Sequence, residues 1–299
     1  MKTIIIAGGS GFLGQVLENH FSKKGYQIQI LTRHPIKENH TFWDAKTIGK
    51  WISVLENSVA LINLTGKSVD CRYTKKNKKR IYDSRIDSTK ILGEAINNCE
   101  NPPKIWFNSS TATIYRHSLD KEMTERNGEI GDDFSMNIAK SWEKAFFEIV
   151  NPKTRKITLR TAIVLGKKGG AMVPLISLTK YGLGGKQGLG NQKVSWIHET
   201  DFAGAVEFLL IQNHLEGVFN LSVPNPTNNK TLMKTLRKEM KIPFGIPHPK
   251  WILEIGAKII GTETELILKS RNVIPERLLE HGFTFNYITI QTALNNLLS

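Results

Sequence analysis

The feature that most constrains this chain stands at its start, where Ile4-Ile5-Ile6-Ala7 runs directly into Gly8-Gly9-Ser10-Gly11-Phe12-Leu13-Gly14. A short, uninterrupted apolar run reads as a strand buried on both faces, and such strands belong to parallel sheets. Glycines then recur at every third position, Gly8, Gly11 and Gly14, where the chain turns sharply. Beyond them Phe12, Leu13, Val16, Leu17 and Phe21 fall at three- and four-residue spacing, so a helix begins near Gly11 with its apolar face on the strand.

A strand, a glycine turn and a helix in that order suit a phosphate. One glycine permits an unusual backbone angle, one lets the backbone approach a pyrophosphate, and one brings helix against strand. Unpaired N–H groups at the helix start then point at the phosphates. A second apolar strand, Ile28-Gln29-Ile30-Leu31, follows, and the unit reads as a dinucleotide site built from Gly8, Ser10, Gly11, Phe12, Leu13 and Gly14.

The residues after the second strand select the nucleotide. A carboxylate there would bond ribose hydroxyls, but the chain offers Thr32-Arg33-His34 and no carboxylate before Glu38. A guanidinium pairs two N–H groups with phosphate oxygens, so NADP(H) is expected over NAD(H), with Thr32 and Arg33 at the 2′-phosphate. The plain alternative makes Arg33 a solvated loop residue.

Further along, Thr41-Phe42-Trp43 reads as a third strand, residues 46 to 55 as a helix, and Val59 to Leu64 as a fourth, buried strand. This alternation builds an α/β fold, a doubly wound parallel sheet with helices on both faces. Carboxyl ends of its strands face the ligand crevice. Leu64, Thr65 and Gly66 therefore either let backbone approach the cofactor or form a plain turn. The fifth strand, Lys104 to Asn108, runs into Ser109-Ser110-Thr111, hydroxyls placed where a substrate would meet the nicotinamide. Phe134, Ile138, Trp142, Ala145, Phe146 and Ile149 mark an amphipathic helix over 134 to 150.

Charge is informative by its distribution. The formal net charge of +14 is densest over Arg72-Tyr73-Thr74-Lys75-Lys76-Asn77-Lys78-Lys79-Arg80. Tyr73, Ile81, Ile86, Ile91 and Leu92 give that segment one apolar face, so a solvated basic helix face is favoured over nucleic-acid binding. Such basicity attracts an anionic or polar small-molecule substrate. No apolar run reaches the ~20 residues that span a bilayer, so no membrane partner is expected and the cytoplasm is the expected compartment. Cys71 and Cys99 form no metal or redox spacing and read as free thiols. Nothing in the sequence calls for a metal.

Taken together, Gly8-Gly9-Ser10-Gly11-Phe12-Leu13-Gly14, Asn63-Leu64-Thr65-Gly66 and Ser109-Ser110-Thr111-Ala112-Thr113-Ile114-Tyr115 resemble signatures of the extended short-chain dehydrogenase/reductases, the NAD(P)-dependent epimerase/dehydratase family. Leu159-Arg160-Thr161-Ala162-Ile163-Val164-Leu165-Gly166, Gly182-Leu183-Gly184-Gly185, Ser195 to Asp201 and Val273 to Phe283 extend the match over nearly the whole chain. The set resembles the branch of sugar-nucleotide epimerase-like proteins with a short carboxyl-terminal domain. The resemblance implies a Rossmann-type NADP(H)-binding domain over residues 1–223, with substrate-lobe insertions from about 166 to 200, and a small, mainly helical domain over 224–299. It leaves room for a homodimer.

It also implies a Ser/Thr, Tyr, Lys catalytic set. Thr111 matches the first position and Lys140 the last, where Lys140 would also bond the nicotinamide ribose, but Met136 stands at the tyrosine. A thioether carries no exchangeable proton. Tyr115 is the nearest substitute in sequence, with packing as its alternative role. Arg85 stands near the crevice, where it would hold a cofactor phosphate or an acidic substrate, or else pair with Asp83 or Asp87. Two functions follow: an NADP(H)-dependent oxidoreductase or epimerase-like enzyme acting by hydride transfer on a small alcohol or carbonyl, or an NADP(H)-binding sensor without turnover. Residues 182 to 190, rich in glycine, are expected to form a mobile loop at the pocket entrance, Asp201 to cap a helix, and His198 to be structural.

Overall fold

The computed structural model describes residues 2–299, apart from the side chains of Ile259, Ile260 and Leu266. Six strands come first: β1 (Thr3–Ala7), β2 (Gln27–Thr32), β3 (His40–Phe42), β4 (Ala60–Asn63), β5 (Ile105–Thr111) and β6 (Arg155–Thr161). Between them run α1 (Phe12–Lys23), α2 (Lys75–Asn97) and α3 (Phe134–Phe147). The second half adds β7 (Ile163–Leu165), α4 (Met172–Lys180), β8 (Lys193–Val194), β9 (Trp196–His198), α5 (Glu199–Ile211), β10 (Gly217–Leu221) and β11 (Thr227–Asn228). It closes with helices α6 (Asn229–Glu239), α7 (Lys250–Ile260), α8 (Glu265–Leu268), α9 (Glu276–Glu280) and α10 (Ile290–Leu298).

Seven strands form one parallel sheet in the order β10-β6-β5-β4-β1-β2-β3. The order reverses at β1, the switch point beside which such sheets bind ligands. Strand alternation explains why the central strands are apolar throughout: Ile4 and Ile6 face α1, α5 and the C-terminal helices, whereas Ile5 and Ala7 face α2 and Phe146 of α3. All three isoleucines are fully buried, each stabilising the fold by about 1.5–3 kcal/mol of transfer free energy. Leu232, Met233 and Leu236 of α6 and Ala293, Leu294 and Leu297 of α10 join the same core as α1 and α5.

Three local expectations are corrected. Residues 46–55 hold only a 3-10 turn over Lys50–Leu55, because the Asp44 carboxylate accepts the Lys46 and Thr47 N–H groups and Gly49 is extended. The 182–190 segment is fastened to its neighbours. Gly185 packs so closely on Ile246 that a Cβ would lie 2.1 Å from its carbonyl oxygen, Gly188 donates to His248 O and Gln187 donates to Asn229 Oδ1. His198, not Asp201, caps α5, its Nδ1 accepting from Thr200 N, while Asp201 accepts from Asn286 N, Asn286 Nδ2 and Tyr287 N and so ties the C-terminal segment down. The basic run does form an exposed helix face, starting at Lys75.

Candidate functional site

Gly8 closes β1 with φ +73°, and a Cβ there would lie 2.9 Å from Thr65 Oγ1 and 3.0 Å from Thr65 Cα. Glycine is thus required both by conformation and by close approach. At Gly14 the obstacle is the turn itself, since a Cβ would stand 2.1 Å from Gly9 O. Helix α1 begins after Gly11 with no side-chain cap and no acidic residue in its first turn. Its leading N–H groups therefore stay open, at the positive end of the helix dipole. Ser10 and Gly11 are exposed, while the Phe12 ring lies against Gly166, Gly169 and Gly170 and Leu13 packs into the core.

On the far side of β1, Thr32 is buried and its Oγ1 accepts from His34 N. Arg33 is exposed, and no hydrogen bond or ion pair engages its guanidinium among the described residues. The structure brings this arginine and the open helix start to the carboxyl ends of adjoining strands.

The ends of β4 and β5 are locked together by amides. Asn63 Nδ2 donates to Asn108 Oδ1 at 2.7 Å and to Thr89 Oγ1, while Asn63 Oδ1 accepts from Thr65 N. Trp142 Nε1 donates to Thr89 Oγ1 at 2.9 Å, so α2, α3 and both strands meet at one threonine. This network fixes the turn through Leu64, Thr65 and Gly66. Thr65 Oγ1 is buried without a partner among the described residues. Arg85 lies directly under Gly66, with its Cζ 5.0 Å from the Trp142 ring centroid. No ion pair with Asp83 or Asp87 forms among the described residues; Asp83 instead bonds Lys79 at 2.7 Å.

Alternation along β5 sorts the hydroxyls. Ser109 and Thr111 are half-buried on one face, and Thr111 Oγ1 is 2.6 Å from Thr113 Oγ1. Ser110 points the other way and donates to Glu143 Oε1 at 2.6 Å. Glu143 also holds Arg160 through two bonds of 2.7 and 2.8 Å, and both are 8% exposed. Neither was singled out as a functional pair from sequence. A charge inside an apolar helix face and another inside a buried strand were the available signal, since buried charges need partners.

Two further corrections concern the expected catalytic set. Tyr115 is fully buried, donates to Asn220 Oδ1 at 2.9 Å and accepts from Arg160 Nη1 at 2.8 Å. Burial pushes its phenol upward, so the tyrosine is a structural member of the Glu143 network and not an acid facing the crevice. Lys140 is held by a carboxylate: it pairs with Asp132 at 2.7 Å, the lysine side chain 39% and the aspartate 88% exposed. Adjacent residues on a helix point in different directions, and Ala139, fully buried, is the one packed with Ala112, Ile114 and Tyr115. Met136 is buried on Gly131, where a Cβ would lie 2.1 Å from its sulfur.

The opposite end of the sheet, at the amino ends of its strands, carries a concavity lined by Lys2, Tyr26, Lys104 and Arg155 among others. Its arginine is consumed by the carbonyls of Leu209, Leu210 and Leu215, where α5 ends. Among the described residues no cluster of three or more His, Cys, Asp or Glu could hold a metal, and no helix is long and apolar enough to cross a membrane.

Residues 4–222 match the model of the NAD dependent epimerase/dehydratase family. The chain belongs to this family. Residues 248–297 match a second model, described as a domain of unknown function, DUF1731. Full-length relatives include epimerase family protein YfhF of Bacillus subtilis, 32% identical over 304 residues that span 99% of this chain and 98% of YfhF. Epimerase family protein SAR0825 of Staphylococcus aureus is likewise 32% identical over the whole of both chains. Among solved structures, the human epimerase family protein SDR39U1 (isoform 2) with NADPH superposes with a TM-score of 0.90 at 28% identity, covering 99% of each chain. A nucleoside-diphosphate sugar epimerase from Corynebacterium glutamicum gives 0.80 at 26% identity over 99% of this chain and 58% of that one.

An NAD(P) nucleotide fits the epimerase/dehydratase fold seen here on this chain's own geometry. The glycine cradle, the uncapped start of α1 and the unpartnered Thr65 hydroxyl converge where β1 and β4 end.

Proposed function

We propose that this chain binds NADP(H) across the carboxyl ends of β1, β2, β4 and β5 and acts as an oxidoreductase or epimerase-like enzyme on a small alcohol or carbonyl, a sugar nucleotide among the candidates. The observation that carries the reading is Arg33, exposed and unengaged at the end of β2, with no carboxylate beside it in sequence. The NADPH in the SDR39U1 structure supports it. N–H groups at the start of α1 receive the diphosphate, and Arg33 receives the 2′-phosphate through paired N–H donors. When bound, the nicotinamide donates or accepts the hydride.

Thr111 hydrogen-bonds the substrate oxygen from the end of β5, with Ser109 on the same strand face. Met136 carries no exchangeable proton, and the Tyr115 phenol is enclosed. The proton therefore moves through hydroxyls at the end of β5, where Thr111 and Thr113 are 2.6 Å apart. NADPH oxidation against a panel of aldehydes, ketones and sugar nucleotides tests the enzyme reading. Turnover lowered at least tenfold by Thr111→Ala, and changed less than threefold by Lys140→Ala, is the expected outcome.

The buried tyrosine and surface lysine favour one alternative, a sensor that binds NADP(H) without turnover. Tight NADPH binding with no oxidation across that panel would establish it in place of the enzyme.

A further inference from the structure

Arg85 is a cation that the protein does not neutralise. Of its guanidinium nitrogens only Nη1 is hydrogen-bonded, to Lys67 O at 3.0 Å and Ile81 O at 3.1 Å. Nε and Nη2 have no acceptor among the described residues and keep contact with solvent, and no carboxylate forms an ion pair with the side chain. Partial burial brings its pKa down to about 10. Arg160 shows the usual solution, two bonds to Glu143. A cation withdrawn from water without such a partner is costly, and that cost is recovered when a ligand brings the counter-charge.

Two further observations accompany this unpaired cation. Gly66 is exposed and does not adopt a positive φ, so its backbone does not call for glycine. What a side chain there would do is cover Arg85, because a Cβ would lie 3.0 Å from Cζ and 3.2 Å from each Nη. Tyr73, just before α2, supplies the second, its hydroxyl buried and without a partner among the described residues. Burial holds this phenol protonated, hence a donor.

Arg85 lies under the turn that follows β4, whereas the donors read as phosphate-binding are at the start of α1 and at Arg33, after β1 and β2. Asn63, the last residue of β4, pairs with Asn108 of β5; Gly66 lies in the turn after Asn63 and Thr111 ends β5, both on the carboxyl side of the sheet.

We propose that Arg85 is the substrate's anion receptor: a small molecule bearing a carboxylate or phosphate sets its oxyanion on the Nε–Nη2 edge beneath Gly66, with its alcohol or carbonyl toward Thr111. The Nε–Nη2 edge is one of the two paired faces through which a guanidinium grips an oxyanion with two parallel bonds. Stacking on Trp142 holds it in plane, and Tyr73 offers a third donor. This rests on the NADP(H) reading only for the part that reacts; the oxyanion contact stands without it.

The test titrates oxalate, and separately inorganic phosphate, into the full chain with and without saturating NADPH, following tryptophan fluorescence and thermal midpoint. Wild type is compared with Arg85→Gln, Arg85→Lys and Gly66→Ala, all first shown to unfold cooperatively. The expected result is saturable binding of at least one anion, weakened at least tenfold by Arg85→Gln and Gly66→Ala and less by Arg85→Lys, with NADPH affinity of Arg85→Gln unchanged within twofold. The anion that responds identifies the oxyanion class. Equal responses in wild type and Arg85→Gln, or none in wild type, overturn the proposal. So does a tenfold loss of NADPH affinity in Arg85→Gln, which assigns the residue to a coenzyme phosphate. Failure of wild type to bind NADPH while the anion response still depends on Arg85 sinks the coenzyme reading alone.

Discussion

The two sides of the crevice differ in what has become of their polar groups. Around β1 and β2 the donors are free: the start of α1 is uncapped, Arg33 is unengaged, and Ser10 and Gly11 are exposed. Around β5, β6 and α3 they are spent, with Tyr115, Arg160, Glu143, Ser110 and Asn220 closed into one buried network and Lys140 turned out to Asp132. Free donors mark where a ligand supplies the missing partner, and satisfied ones mark where the fold is held. A nucleotide-binding half has thus been joined to a half whose polar residues chiefly stabilise, leaving Thr111 and Arg85 exposed to chemistry at the seam.

The sharpest way to break this contrast is Glu143→Ala. It strands the Arg160 guanidinium in a site 8% exposed and is expected to cost about 3–5 kcal/mol in urea unfolding, with NADPH affinity of the folded fraction unchanged. A small stability loss with a large binding loss would invert the two regions. Arg33→Asp is the mirror experiment, expected to leave the unfolding midpoint in place and weaken NADPH binding by about 1.5–3 kcal/mol, measured by calorimetry beside NADH. Equal NADPH affinity in variant and wild type would remove Arg33 from the site.

Tyr115→Phe is expected to cost about 1–2 kcal/mol of stability, since Asn220 Oδ1 and Arg160 Nη1 each lose a partner, and to leave any turnover within twofold. Loss of turnover at unchanged stability would return the tyrosine to catalysis. The smallest effect concerns the cap of α3, where Asp133 accepts the Met136 N–H at 3.0 Å. Burial raises its pKa, but Lys269 and the cap bond more than offset this, so the carboxyl sits below its ordinary 3.8. A depressed carboxyl stabilises above that ordinary value and ceases to as pH falls through the folded one. Asp133→Ala should therefore cost about 1 kcal/mol near neutrality, and the gap from wild type should shrink below pH 4.

Sequence made the free side legible and the spent side opaque, for a physical reason. Strand, glycine turn and helix are local patterns, so Gly8, Gly14 and the start of α1 lie where spacing puts them, and Thr32-Arg33 follows from the end of β2. The closed network joins Glu143 to Ser110 and Arg160, and Arg160 to Tyr115, across 17 to 45 residues of chain, and no local period encodes such pairings. Lys140 shows what one residue of register decides: its neighbour Ala139 packs with Ala112 and Tyr115, while it pairs with Asp132. Asp201 stands near the start of a helix, where a cap is expected, while its real partners, Asn286 and Tyr287, are 85 and 86 residues away. Sequence position puts Arg85 near the crevice, but its lack of a counter-ion emerges only in the fold, where Asp83 pairs with Lys79.

The most direct test of the account is a fluorescence titration of the purified wild-type chain with NADPH and, separately, NADH. Saturable binding with NADPH favoured at least tenfold is the predicted result. No saturable signal with either nucleotide, or equal affinity for both, would contradict it.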